Sequence, residues 1–167
     1  AEDMPEYNRG LIEKLIASDP AWTLSARPEE AEVVFVTSDE AERTGARHRV
    51  ILPPVRLGVP VTEPFTIDHR SPLTDGVDLS GIRWYADRDI SFPGLPAISG
   101  EEIVLVGAVK RTNGYWDVDW NADFRASNLV RSPALPVLFW NMAHWLTAER
   151  PGPSQANYPA GQEIAIR

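Results

Sequence analysis

Two short apolar runs decide the fold: Val33-Val34-Phe35-Val36 and Arg49-Val50-Ile51-Leu52. Each run is bounded by polar residues or by proline, which is typical of strands that are buried on both faces of a sheet. Before them, apolar residues recur at helical spacing between Pro5 and Pro20, and this pattern predicts a helix. A helix followed by two buried strands indicates a parallel α/β sheet. The usual strand–helix–strand crossover of a parallel sheet begins with a strand. The sequence therefore leaves open that a first strand precedes Ala1.

The second half of the chain predicts an antiparallel hairpin and a long helix. Asn113-Gly114 separates two strand-like runs, and both of its positions accept a positive φ, as a tight turn requires. The return strand, residues 116–121, alternates large apolar residues with polar ones, so we expect its tryptophans to face inward and its carboxylates outward. A helix is predicted from Ser132 to about Ala148. A short terminal strand is predicted at Glu163-Ile164-Ala165-Ile166.

Together these elements predict one three-layer α/β domain over residues 1–167. Its sheet is expected to be mixed. The N-terminal half should be parallel, and the Asn113-Gly114 hairpin should extend it in the antiparallel sense. Further strands are predicted at residues 65–67, 82–85 and 103–106.

The composition excludes several classes of function. The chain has 16 Lys and Arg against 24 Asp and Glu, a net charge of −8, and no basic stripe. Nucleic acid and anionic membrane surfaces are therefore not expected partners. The chain has no cysteine, which removes disulfides, thiol nucleophiles, thiolate zinc sites and iron–sulfur clusters. No apolar run approaches the roughly 18 residues of a membrane span. The sequence also lacks nucleophile-elbow, phosphate-loop and dinucleotide motifs, and no cofactor is predicted.

An acidic cluster in the return strand is the strongest candidate for chemistry. Alternating oxygen donors resemble the opening of a calcium loop, and they fall at Asp117, Asp119, Asn121 and Asp123. The match is poor, because position six is Ala122 where glycine is needed and position twelve is Asn128 where glutamate is needed. A half-exposed strand requires the same alternation, so we favour the strand and keep a weak divalent-ion site as the alternative.

The histidines and one tryptophan supply the remaining candidates. His48, His69 and His144 show no metal-ligand spacing, although Asp68 directly precedes His69 and could orient its imidazole. On the long helix, Trp140 lies away from the main apolar face, near Val137 and His144. Core packing is the favoured reading of Trp140. The alternative is that these three residues bind a partner.

Four segments together resemble one region of BatA-type bacterial membrane proteins, the aerotolerance-operon and von Willebrand A-related proteins. They are HRSPLTDGVDLSG (69–81), DFRASNL (123–129), LPVLFWNMAHWL (135–146) and YPAGQEIAI (158–166). In such proteins this region resembles a class I glutamine amidotransferase-like, flavodoxin-like fold. It lies between a von Willebrand A region and a later membrane helix.

The resemblance implies a domain excised from a longer membrane-anchored protein. Such a domain would lie on the extracytoplasmic, periplasmic side, bind protein partners, and reach the membrane only through segments outside this chain. Two features depart from the pattern. The family's "SDLP"-like turn is Ser127-Asn128-Leu129-Val130 here, and the Cys-His-Glu set of true amidotransferases has no match without cysteine.

The sequence therefore predicts a non-catalytic interaction domain. The alternative is a small-ligand or divalent-ion binding domain, or an enzyme without a recognisable motif. The polar groups open to that second role are Asp68, His69, Asp117, Asp119 and Asp123.

Overall fold

A six-stranded mixed sheet forms the centre of the protein. The computed structural model describes residues 6–25, 27–41, 47–52, 54 and 58–148. Within these ranges the strands are β1 (Val33–Val36), β2 (His48–Ile51), β3 (Val59–Val61), β4 (Phe65–Ile67), β5 (Trp84–Ala86), β6 (Leu95–Gly100), β7 (Ile103–Lys110) and β8 (Trp116–Trp120). The large sheet has the order β1-β2-β8-β7-β6-β4, and β3 and β5 form a separate antiparallel pair.

The large sheet changes direction at β8. β1, β2 and β8 run parallel to one another, whereas β8, β7, β6 and β4 form an antiparallel series. The predicted mixed sheet, with a parallel part from the N-terminal half and an antiparallel hairpin, is confirmed. β8 therefore has a hydrogen-bonded neighbour on each side and lies in the middle of the sheet.

The β7–β8 hairpin turns over residues 112–114. Arg111 N donates to Tyr115 O at 2.7 Å, and Gly114 N donates to Arg111 O at 2.9 Å. Gly114 has a φ of +86°, while Asn113 is not in the left-handed region. The predicted hairpin is confirmed, but its turn has three residues and requires a positive φ only at Gly114.

Two long helices cover one face of the sheet. They are α1 (Glu6–Ala17) and α3 (Ala134–Ala148), both as predicted, and a short helix α2 (Ser38–Ala41) follows β1. Phe35 of β1 stacks on Phe139 of α3 with ring centroids 5.8 Å apart, and Trp116 packs on Trp145 at 4.6 Å. Residues of α1 and α3 both line an apolar cavity of about 20 Å³ against the sheet. Both helices therefore share the face that carries the β8 tryptophans.

The position of β1 differs from the prediction. β1 pairs only with β2 among the described strands and lies at the edge of the sheet. Val36 is buried, but Val33, Val34 and Phe35 are only half-buried. A continuous apolar run predicted a strand buried on both faces, and that part of the prediction is wrong. The predicted terminal strand at 163–166 lies outside the described residues.

Candidate functional site

The polar residues of β8 lie on the face of the sheet opposite α1 and α3. Successive side chains of a strand point to opposite faces, and Trp116 packs against α3. Asp117, Asp119 and Asn121 therefore share the other face. They are buried, with exposed fractions of 6%, 7% and 0%. The prediction that these carboxylates face solvent is wrong, because β8 is a central strand whose two faces are both covered.

Asp117 is neutralised by two arginines. Arg49 Nε donates to Asp117 Oδ1 at 2.7 Å, and a second guanidinium nitrogen donates to Oδ2, so the pair is bidentate. Arg111 Nε lies 3.0 Å from the same Oδ1. The hydrogen bonds that Arg49 donates to Asp117 raise the pKa of Arg49, while burial lowers the pKa of Arg111. Both guanidiniums also donate to backbone carbonyls, those of Ala41 and Arg47. This cluster joins β2, β8 and the start of the hairpin turn at Arg111, and it has the contacts of a structural ion network.

Asp119 differs from its neighbour Asp117. No hydrogen bond reaches its carboxylate from any residue in the described ranges. Burial raises the pKa of Asp119 to about 6, the Asp117 carboxylate acts in the same direction, and Arg49 opposes both. Carboxyl groups that act as general acids or bases often share these two properties, burial and a pKa near neutrality.

Asn121 is committed to the backbone around it. Its Nδ2 donates to Asp87 O at 2.7 Å and to Val104 O at 3.3 Å, and its Oδ1 accepts from Asp87 N at 2.8 Å. Its own carbonyl accepts from Trp84 Nε1 at 2.7 Å. Asn121 thus fastens the segment after β5 to the end of β8, and its amide oxygen already has a donor.

The fourth member of the acidic cluster stabilises a turn. Asp123 Oδ1 accepts from the backbone N–H groups of Arg125 and Ala126, at 2.9 and 3.2 Å. Among the described residues, no group of three or more His, Cys, Asp or Glu side chains is placed to hold a metal ion. The divalent-ion alternative gains no support from this geometry, because Asp117, Asn121 and Asp123 each have other partners.

Asp68 does not orient the His69 imidazole in this structure. Asp68 binds Arg70 instead, with Arg70 Nε 3.0 Å from Asp68 Oδ1. The hydrogen bonds from Arg70 lower the pKa of Asp68. His69 is exposed, and no hydrogen bond joins it to Asp68 in the part of the chain that the structure describes.

The outer face of α3 carries a small aromatic surface, which we call the Trp140 patch and define as Val137, Trp140 and His144. Trp140 is 49% exposed, although most of α3's apolar residues are buried. Its indole lies against the His144 imidazole with ring centroids 4.2 Å apart and planes tilted by 34°. Val137 is half-buried at the border of the patch. The expectation that Trp140 lies off the main apolar face is confirmed, whereas its reading as a core residue is wrong.

Two asparagines that the sequence did not identify as structural join the segments of the family resemblance. Asn141 Nδ2 donates to Leu73 O at 3.1 Å and to Asp75 O at 2.7 Å, which ties α3 to segment 69–81. Asn128 Nδ2 donates to Gly81 O at 3.0 Å, and its Oδ1 accepts from Arg83 N at 2.7 Å. Asn128 and Asn141 lie in two of the four resembling segments, and the carbonyl groups that they bind lie in a third, residues 69–81.

Comparison of the chain with protein-family models, with curated proteins and with solved structures found no match. Within the described residues, no helix combines the length and the apolar character that crossing a membrane requires. A function for this chain therefore has to be argued from its side chains. They offer two features: the exposed Trp140 patch and the buried Asp119 carboxyl, to which no residue in the described ranges donates a hydrogen bond.

Proposed function

We propose that this chain is a non-catalytic protein-interaction domain of a membrane-anchored, BatA-type bacterial protein, on the extracytoplasmic side. The observation that carries the proposal is the Trp140 patch. A half-exposed indole held against an imidazole offers a large, rigid contact surface at little conformational cost, and tryptophan is enriched where protein interfaces gain most of their binding energy. The partner would bury Trp140 in an apolar pocket of its own surface.

The contacts between the resembling segments support the family assignment. Residues 69–81, 123–129 and 135–146 are far apart in sequence, yet Asn128 and Asn141 hydrogen-bond them into one unit. Motifs that meet in space are more consistent with a shared fold than motifs scattered over a surface. We further propose that the mixed sheet is the core of a class I glutamine amidotransferase-like, three-layer fold.

The polar face of β8 is consistent with a domain that has no catalytic site at that position. Arg49 and Arg111 neutralise Asp117, and Asn121 uses both of its amide atoms on backbone groups. Groups that are already paired in this way stabilise the sheet. They are poorly placed to bind a substrate, which would have to displace them.

The cellular location is tested on the full-length parent protein in its own host. An antibody to this domain would follow it through membrane and soluble fractions, and protease would then be added to intact spheroplasts. The proposal expects the domain in the membrane fraction and cut from outside. Recovery in the soluble fraction, or protection from protease until lysis, would reject the extracytoplasmic assignment.

The binding surface is tested with Trp140→Asp in that same parent protein. Leu95→Asp is the matched control, because Leu95 is a large apolar residue that is 80% exposed on β6. We expect Trp140→Asp alone to reduce the amount of partner that co-purifies with the parent protein by at least tenfold. Both variants should keep the melting temperature of the wild type. Equal partner recovery from both variants would place the binding surface elsewhere.

A second function, binding of a small ligand or an acid–base reaction, is favoured only by Asp119. It is tested by thermal-shift measurements with divalent ions, sugars and small metabolites. A ligand at 100 times its Kd stabilises the folded state by about 2.7 kcal/mol. A shift that Asp119→Asn abolishes would support this second function over the first.

A further inference from the structure

The outer edge of β1 has backbone groups that nothing in the described chain uses. Glu32 O and Val36 O accept hydrogen bonds from β2, through His48 N and Leu52 N. Backbone groups of alternate residues in a strand point to opposite sides. The amide and carbonyl groups of Val33 and Phe35 therefore point away from β2. No hydrogen bond to these four groups occurs among the described residues.

A groove runs beside this edge. Its volume is about 670 Å³, and its walls come from α1, the segment 21–25, β1 and the end of α3. Ile12, Ile16 and Trp22 supply apolar lining on one side, and Val33 and Phe35 supply it along the strand. An open strand edge beside an apolar groove is the arrangement that binds an extended segment, because the edge supplies hydrogen bonds and the groove receives alternate side chains.

The chain contains a segment suited to this edge. Glu163-Ile164-Ala165-Ile166 has strand-forming residues at alternate positions, with Ile164 and Ile166 on one side. α3 ends at Ala148, and Thr147 in its last turn already lines the groove. Residues 149–162 span up to about 45 Å when extended, at roughly 3.3 Å per residue, so the segment has ample length to reach β1.

The acidic lining of the groove is complementary to the basic residue that follows this segment, whereas Glu163 at the start of the segment is itself negative. Glu13, Glu30 and Glu32 contribute three carboxylates to the lining, whereas Arg9 contributes one guanidinium. Arg167 directly follows the segment and would bring a positive charge to this acidic wall.

We propose that residues 163–166 add to the outer edge of β1 as a further strand of the sheet, with Ile164 and Ile166 in the groove. The added strand hydrogen-bonds the outward backbone groups of Val33 and Phe35. It also covers the edge, which would otherwise be a template for pairing between chains. This inference does not depend on the proposed partner of the Trp140 patch.

Amide hydrogen exchange tests the pairing in the full chain. The amides of Val33 and Phe35 should exchange slowly in the wild type and at least tenfold faster in the double variant Ile164→Asp/Ile166→Asp. The matched control Gln155→Asp/Ala156→Asp adds the same charge outside the segment and should leave both amides protected. Fast exchange in the wild type would overturn the proposal. Slow exchange in all three proteins, with a doubled mass in solution, would assign the edge to a second copy of the chain and also overturn it.

Disulfide trapping tests the same pairing by its periodicity. The chain has no cysteine, so an engineered pair reports only on itself. With Val33→Cys fixed, a second cysteine is placed in turn at positions 163, 164, 165 and 166. Strand pairing predicts an intramolecular disulfide at 164 or 166 and little at 163 and 165, since cysteines on opposite faces cannot meet. Equal yields at all four positions, or disulfides only between chains, would contradict the proposal.

Discussion

The strand β8 presents side chains of opposite chemistry on its two faces. On one face Trp116, Val118 and Trp120 pack against α1, α3 and their neighbours, and on the other Asp117 and Asp119 are buried to nearly the same degree. Burial is favourable for the first face because it removes apolar area from water. On the second face burial costs free energy unless a counter-charge compensates it or the carboxyl binds a proton. Asp117 has two such partners, and Asp119 has no hydrogen-bond donor among the described residues.

The comparison teaches that alternation defines the faces of a strand but not their exposure. Exposure depends on where the strand lies in the sheet. β8 is central, so water does not solvate the charge on its polar face. Arg49 from β2 and Arg111 from the hairpin neutralise the Asp117 carboxylate instead. The following variants test how far the two faces differ.

On the apolar face, Trp120→Ala should have the largest effect. Trp120 is 3% exposed, and removing its indole should lower the free energy of unfolding by about 3–5 kcal/mol. Urea denaturation measures the loss. Trp140→Ala is the control, because its side chain is half-exposed and its loss should cost about 0.5 kcal/mol or less. An equal loss of unfolding free energy in Trp120→Ala and Trp140→Ala would mean that packing on the helix-covered face of β8 does not stabilise the fold.

On the polar face, Asp117→Ala should be nearly as harmful for a different reason. The variant leaves the partly buried Arg49 and Arg111 guanidiniums without their carboxylate, which costs up to about 3–5 kcal/mol. The exposed pair of Arg27 and Glu30 is the control, and Glu30→Gln should cost less than about 1 kcal/mol. If Asp117→Ala unfolds at the same urea concentration as Glu30→Gln, then the buried network does not stabilise the sheet.

Asp119 should make stability fall as the pH rises. The pKa of its carboxyl is about 6 in the folded protein, above its ordinary value, so the folded state binds this proton more tightly than the unfolded chain. The folded state is therefore favoured at low pH, and about 2.4 kcal/mol is lost between pH 4 and pH 7.

The variant Asp119→Asn removes this titration, so its stability relative to the wild type should increase by about 2.4 kcal/mol over the same pH interval. Chemical denaturation of both proteins at several pH values measures the difference. A constant difference from pH 4 to pH 7 would show that Asp119 has an ordinary pKa.

The smallest effect is expected beyond the end of β8, at Asn128. Asn128→Asp keeps the acceptor for Arg83 N but loses the donor to Gly81 O, which should cost about 1 kcal/mol. Asn113→Asp is the matched control, because Asn113 uses only its oxygen, as the acceptor for Tyr115 N. Thermal denaturation should therefore separate the two variants, and identical melting temperatures would contradict the role of the Asn128 amide.

Local signals in the sequence predicted the elements that depend on local contacts. Asn113-Gly114 identified the hairpin, and helical spacing identified α1 and α3. The alternation in residues 116–121 identified β8. What sequence alone did not predict depends on which strands become neighbours. The edge position of β1 and the burial of Asp117 and Asp119 follow from the order β1-β2-β8, which joins strands 68 residues apart. No pattern within either strand specifies that order.

In the candidate site, too, the sequence predicted the features that depend on one element and not those that depend on contacts between distant segments. The Trp140 patch follows from the period of one helix, so its separation from the apolar face could be anticipated. The roles of Arg49, Arg111, Asn128 and Asn141 arise only when distant segments meet, and none of these residues lies in a motif that signals its partner.

The central proposal, a protein partner at the Trp140 patch, is tested most directly by photo-crosslinking of the protein in its own cells. A photoreactive amino acid replaces Val137, with Trp140 intact, and a second protein carries it at the exposed position 95. The account predicts a discrete adduct from position 137 that Trp140→Asp abolishes, and no such adduct from position 95. No adduct at 137, or one that survives Trp140→Asp, would contradict it.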